Sequence, residues 1–208
     1  MDFSEIEKKL NYVFKDKELL RRALTLSSAD NNFNNQSLEF LGDAVLEFIV
    51  SERIFGFGAD EGALTKKRAN AVCDNSLEIV SKNLGLDRAL IKGCGDTNNK
   101  KAVPSAYEAV VAAVYLDGGM GAAAKLVNST IDYGYEQRNY IGDLQELLQG
   151  RGLPCPVYDV KDVGTEQSHS FKASVTVDGK TFTGVAEDKR EAKQIAAKNA
   201  LEISDKSK

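Results

Sequence analysis

The sequence predicts an all-α domain over residues 1–138 and a small α+β domain over residues 142–205, the latter ordered helix, three strands, helix. Three observations carry this reading. Up to about residue 138 the apolar residues recur at helical spacing, with no convincing strand. Beyond that point apolar and polar residues alternate singly, as in half-buried strands. The change of pattern is abrupt and falls between Arg138 and Gly142.

Taken in order, Ile6, Leu10 and Val13, then Leu19, Leu20, Ala23 and Leu24, predict two short amphipathic helices with a break near Phe14-Lys15-Asp16. Ser27 to Asn35 is a polar, asparagine-rich loop. It leads into Gln36–Val50, a helix apolar on nearly every side. A further helix is expected from Glu61 to Asn83, through Leu64, Ala69, Val72, Leu77 and Val80, with a basic turn at Lys66-Lys67-Arg68. Gly93 to Lys101 reads as a loop. Pro104 opens the next helix, a position that tolerates the missing N–H, and Asp117-Gly118-Gly119 ends it.

In the second domain Leu144, Leu147 and Leu148 mark a helix that stops at Gly150. Val157 to Val163 is the first strand. Phe171, Ala173, Val175 and Val177 alternate with Lys172, Ser174 and Thr176 in the second. Asp178-Gly179 is a hairpin turn into Lys180–Ala186. The last helix runs from Lys189 to Ile203 with Asp188 as its N-cap.

The chain has 208 residues, 42% of them hydrophobic, and a formal charge of −4. Residues 1 to 139 hold 17 basic and 20 acidic side chains, and residues 140 to 208 hold 10 and 11. Any nucleic-acid surface must therefore be a local patch. The three cysteines form no CxxC pair, which excludes a zinc ribbon and a disulfide scaffold. The single histidine, His169, excludes paired-histidine catalysis and multi-histidine metal sites within one chain. The charged N-terminus has no apolar core of a secretion signal, and no apolar run approaches the roughly 20 residues of a membrane span. A soluble, cytoplasmic protein with no membrane partner is expected.

The chemistry concentrates on two apolar helices. Glu39 and Asp43 stand four residues apart and share a helix face, and Glu108 is the acid on the helix after Pro104. Carboxylates on such helices need a cation, a hydrogen-bond network or a wet cleft to stay charged. A carboxylate cluster suits Mg²⁺, which takes oxygen ligands and keeps several waters. Such an ion activates water and stabilises charge on a phosphoryl group, a route to phosphodiester hydrolysis without histidine. A solvated polar stripe or a structural ion pair remains the plainer alternative.

Leu38-Glu39-Phe40-Leu41-Gly42-Asp43-Ala44-Val45 resembles the signature of the ribonuclease III family. So do Leu64 to Ala69, Tyr107-Glu108-Ala109 with its Tyr115 to Gly119 end, and the opening from Ile6 to Thr25. The resemblance covers essentially the whole chain. It implies a helical nuclease domain followed by a double-stranded-RNA-binding domain, acting as a homodimer on double-stranded RNA. By that resemblance Glu39, Asp43 and Glu108 hold Mg²⁺ (or Mn²⁺), Asp43 and Glu108 being catalytic, with no small-molecule cofactor. Phe40 packs into a socket on a second subunit, and Gly42 permits close helix approach. The products carry 5′-phosphate and 3′-hydroxyl ends, in processing such as that of ribosomal RNA precursors. Gln145, Glu146 and Gln149 match minor-groove contacts. Lys189, Arg190 and Lys193, at a helix N-terminus that itself favours phosphate, match the residues laid across the major groove. Such domains read A-form shape over roughly 16 base pairs. An ordinary solvated helix face is the alternative for those three.

Departures from the family pattern are specific. Ser105 stands where an acidic residue is expected, and its neutral hydroxyl would reach an ion weakly or through water. Gln36 replaces a glutamate, Thr25-Leu26 replaces Thr-His, and Gln167 stands where a histidine is frequent. Fewer charged ligands weaken a Mg²⁺ site without abolishing it. A catalytically weak or silent ribonuclease III-like RNA-binding scaffold is therefore the competing reading.

Overall fold

The computed structural model describes residues 3–94, 99, 101–136, 139–164 and 169–205, the last three by backbone alone. Gln167 and most of the expected loop from Gly93 to Lys101 lie outside the described residues. The chain divides into two compact units, 1–136 and 137–208.

The first unit is helical: α1 Ser4–Leu10, α2 Lys17–Ala23, α3 Gln36–Phe55, α4 Glu61–Ala71, α5 Asp74–Leu84, α6 Leu86–Ala89 and α7 Ala102–Thr130. The expected break between the first two helices is built from caps. Asn11 closes α1 in the left-handed conformation (φ 51°), and the Asp16 carboxylate opens α2 by accepting the Glu18 N–H. Asp117 of α7 fixes the intervening turn, accepting from the Tyr12 hydroxyl (2.6 Å) and from the N–H groups of Lys15 (3.0 Å) and Asp16 (2.9 Å).

One expectation requires correction and another is incomplete. The single helix predicted over Glu61–Asn83 is two helices, because Cys73 is extended (φ −70°, ψ 154°) and caps α5. Periodicity misses the break since both halves keep helical spacing; α4 buries only Ala71, whereas α5 buries Leu77, Val80 and Leu84. The helix after Pro104 leaves helical geometry at the expected Asp117-Gly118-Gly119, but a second helix that was not expected follows directly, the two together making up α7. Gly119 leaves helical geometry (φ 78°, ψ 178°), and the chain then resumes its helix and buries Ala123, Leu126 and Val127. The glycine makes a kink because good helix formers follow it. An isolated parallel bridge between Thr25 and Ile91 adds a strand-like pairing that a purely helical reading lacks.

The core of this unit is the contact of α3 with α7. Leu46, Ile49 and Val50 of α3 and Ala106, Tyr107 and Ala109–Val114 of α7 are buried. By length and composition α7 meets the measure of a membrane span. That correction to the apolar-run count has a simple reading: its apolar side chains are the centre of the helical core. At Gly42 the two helices nearly touch. A Cβ there would lie 1.8 Å from the Glu108 carbonyl oxygen.

The second unit has α8 Tyr140–Gly150, β1 Tyr158–Asp162, β2 Phe171–Val177, β3 Lys180–Ala186 and α9 Lys189–Asp205. The strands form an antiparallel sheet in the order β1-β2-β3, with Val175 opposite Tyr158 on one side and Phe182 on the other. Asp178 (φ 50°) and Gly179 (φ 74°) both take positive φ, as a two-residue hairpin of the right twist requires. Leu144 and Leu148 of α8 and four alanines of α9 (192, 196, 197 and 200) pack on Ala173, Val175 and Val177. The small side chains let α9 approach closely: a Cβ on Gly184 would come 2.4 Å from the Ala192 carbonyl oxygen.

Candidate active site and nucleic-acid interface

Gly42 sets the geometry of the first site. Because α3 and α7 meet there, Glu39 and Asp43 on α3 are brought to Glu108 on α7. Gln36, Glu39, Phe40, Asp43 and Glu108 line one open cleft of about 410 Å³. Glu39 and Glu108 are half-buried and Asp43 is exposed. A recess of about 460 Å³ elsewhere in the unit also holds acids. There, however, Glu7 pairs with Lys17 and Glu18 with Arg21, so its charge is balanced internally.

The cleft is under electrostatic strain. Burial first, then the negative charges of Asp43, Glu39 and Asp74, push the Glu108 carboxyl up from 4.5 to about 7. Asp74, the first residue of α5, was not foreseen. It belongs to no motif and stands at the start of α5, just past the break at Cys73. Ser105 lies one turn before Glu108, and its hydroxyl donates to Glu39 Oε1 at 2.8 Å. That bond, between residues 66 positions apart, is likewise invisible to periodicity.

These oxygen donors fit a hard divalent cation in kind. Like charges gathered in a partly buried cleft favour an ion that neutralises them. Yet among the described residues no three acidic side chains converge as a ready-made cage. Mg²⁺ commonly binds through one or two carboxylates, with waters and substrate phosphate completing the shell, and an open cleft accommodates that arrangement.

Phe40, on the rim of the cleft, is 82% exposed, and Phe48 two turns on is 54% exposed. With the exposed Ala44 between them, they form an apolar stripe at four-residue spacing along α3.

The second unit presents the other candidate residues on α8 and α9. Gln145, Glu146 and Gln149 are exposed on α8, with Gln149 Nε2 donating to Cys155 Sγ at 3.5 Å. Lys189 and Arg190 are exposed at the start of α9, and Lys193 one turn on is half-buried. Their ammonium groups lean on aromatic rings: Lys189 lies 5.2 Å from the Phe171 centroid and Lys193 6.0 Å from that of Tyr158. Such cation–π contacts position the ammonium heads against the sheet's aromatic side chains. The α9 N-terminus is less open to phosphate than its sequence suggests. Asp188 caps it, accepting from the N–H groups of Arg190 (2.6 Å) and Glu191 (2.9 Å). Phosphate attraction there rests on the side chains.

The Ribonuclease-III-like family model matches residues 16–133, from the α2 N-cap to just beyond α7. The double-stranded RNA binding motif matches residues 140–203, the whole α-β-β-β-α unit. A ribonuclease 3 of a Sulfurovum species is 36% identical over 217 residues, covering 97% of each chain. The chain belongs to the ribonuclease III family. A ribonuclease 3 of Ehrlichia canis is 36% identical over 92% of this chain and 93% of its own. The crystal structure of the nuclease domain of ribonuclease III from Campylobacter jejuni matches with a TM-score of 0.61 and 33% identity, over 66% of this chain and 99% of that one. The fold is thus the ribonuclease III helical domain followed by a double-stranded-RNA-binding domain.

Replacing Lys189, Arg190 and Lys193 together with alanine is expected to weaken duplex binding equally across sequences. The slope of log affinity against log salt should flatten by up to about 3, since each phosphate contact contributes about one released counterion. Titration of a fluorescent duplex at several salt concentrations checks this. An unchanged slope would assign binding to another surface.

Proposed function

We propose that this member of the family is a divalent-metal-dependent endoribonuclease that cuts double-stranded RNA to 5′-phosphate and 3′-hydroxyl ends. It works as a cytoplasmic homodimer on substrates such as ribosomal RNA precursors. One observation carries the reading: three carboxylates from two helices line a single cleft, where burial first and neighbouring acids second push the Glu108 carboxyl up to about 7. Glu39, Asp43 and Glu108 would hold Mg²⁺ or Mn²⁺. When bound, such an ion supplies an activated water and neutralises charge on the phosphoryl group. Asp43 and Glu108, from different helices, fix the cleft's acidic oxygens with respect to one another. Gln145, Glu146, Gln149, Lys189, Arg190 and Lys193 would bind the duplex.

Homodimerisation is supported by Phe40, too exposed for an aromatic side chain with no role outside its own chain. A study of the Campylobacter jejuni nuclease domain, 34% identical with a TM-score of 0.59, concerns flexibility in a region involved in that domain's dimer formation. Placing a charge in a self-complementary apolar contact disrupts both copies at once. Phe40→Asp should therefore yield a monomer by light scattering at micromolar concentration. A wild-type monomer, or a dimeric variant, would count against the interface.

The neutral side chains of Ser105 and Gln36 at the cleft favour the second reading, a ribonuclease III-like RNA-binding scaffold of little or no activity. Incubating a long duplex with the protein and Mg²⁺, with and without a chelator, decides between the two. Cutting that the chelator abolishes supports the enzyme; an intact duplex supports the scaffold.

A further inference from the structure

Ser105 occupies the first turn of α7, half-buried, and places its hydroxyl 2.8 Å from Glu39 Oε1. A serine hydroxyl has one proton to donate. Here the carboxylate of Glu39 takes it in a charge-assisted bond, stronger than one between neutral groups. The acceptor lies on α3, so the bond ties the side chains of two different helices at the mouth of the cleft. Three residues further along α7, Glu108 shares this side of the helix and feels the charge of Glu39.

We infer that Ser105 is a positioning residue that orients Glu39 for cation binding. The inference rests on the carboxylate-cleft reading proposed above. Glutamate has three rotatable side-chain bonds, and an unrestrained one must be ordered when an ion arrives. The Ser105 bond restricts Glu39, a residue lining the cleft, beforehand through Oε1. It also sets a hydrogen-bond donor beside Glu39, where an acid at position 105 would add a further negative charge. The cleft thus carries less negative charge but a better-ordered ligand.

The test uses the full RNA-free chain and Mg²⁺ alone, titrated by calorimetry. Ser105→Ala removes the donor and suits the helix, so folding should be preserved. Its dissociation constant for Mg²⁺ should rise by about tenfold or more, the low end of what losing a hydrogen bond to a charged group costs. Ser105→Thr keeps a hydroxyl and should recover most of the affinity. In ion-free protein, carbon NMR of the side-chain carboxyls should show Glu39 moved by Ser105→Ala and Asp43 little changed. The Mg²⁺ concentration for half-maximal duplex cleavage should rise with the dissociation constant, while KM for the duplex stays constant. Glu108→Gln serves as the control for the cleft. If it binds Mg²⁺ like the wild type, the carboxylate-cleft reading itself fails. If it loses Mg²⁺ while Ser105→Ala binds like the wild type, or leaves the Glu39 resonance in place, the positioning role alone is overturned.

Discussion

Glu108→Gln is expected to reduce cleavage of a long duplex by on the order of 10²–10³-fold, the loss that follows removal of one preorganised electrostatic group at a reacting centre. Duplex binding measured in Ca²⁺ should persist, because the amide keeps the shape of the side chain and the RNA-binding domain is untouched. The same substitution has an opposite effect on the ion-free protein. Burial, followed by the charges of Asp43, Glu39 and Asp74, holds the Glu108 carboxyl at about 7 against an ordinary 4.5. A folded value above the unfolded one means that the folded state prefers the protonated acid. That preference contributes stability below about 4.5, and the contribution is lost as pH rises through about 7. At about pH 8 the wild type therefore carries an ionised group in an unfavourable field, whereas glutamine carries none. Ion-free Glu108→Gln should melt above the wild type there, and the gap should close as pH falls toward about 4. Saturating Mg²⁺ should narrow the gap at high pH by stabilising only the wild type. Melting temperatures that stay equal across this range would mean that Glu108 bears no such electrostatic load. Unchanged cleavage would remove the carboxylate mechanism.

The two halves of this site were legible to different degrees. Glu39 and Asp43 could be paired from sequence because the four-residue helical repeat makes them neighbours whatever the tertiary structure. Their meeting with Glu108 depends on a contact between residues far apart in the chain, which no local period encodes; the family signature supplied it. Neither source gave the Ser105–Glu39 bond, because that bond follows from a departure from the signature. Nor did they give Asp74, whose charge acts on Glu108 from the start of α5, just past the break at Cys73. The hairpin at Asp178-Gly179 and the Asp188 cap were readable because each is a local solution to a local backbone demand. The break at Gly119 was legible in Asp117-Gly118-Gly119, but the helix that follows it was not, since a glycine permits a break without deciding whether a helix resumes. That decision belongs to Ala123, Leu126 and Val127, which find a core to enter.

Gly42→Ala should be the most damaging single methyl group that can be added to this chain's nuclease domain. The new Cβ would stand 1.8 Å from the carbonyl oxygen of Glu108 and 2.5 Å from its carbonyl carbon. Both are backbone atoms of a buried helix, so no rotamer change relieves the overlap. The helices must move apart, and the layer of α7 side chains packed on α3 must move with them. Overpacking of this kind costs about 3 kcal/mol, the upper end of the usual range, which for a domain of this size is a fall of about 10 °C in melting temperature. Function should suffer beyond stability, because the residue pushed away is Glu108 itself. Below the melting transition the folded variant should still bind duplex and should bind Mg²⁺ weakly, with cleavage depressed far more than its folded fraction explains. Gly121→Ala is the matched control: nothing lies within 4 Å of a Cβ at that helical position. It should be neutral or stabilising by about 0.5–1 kcal/mol, as alanine is in an exposed helix. If Gly42→Ala melted with the wild type, the α3–α7 approach drawn here would be wrong, and with it the reason that acids on two helices share one cleft.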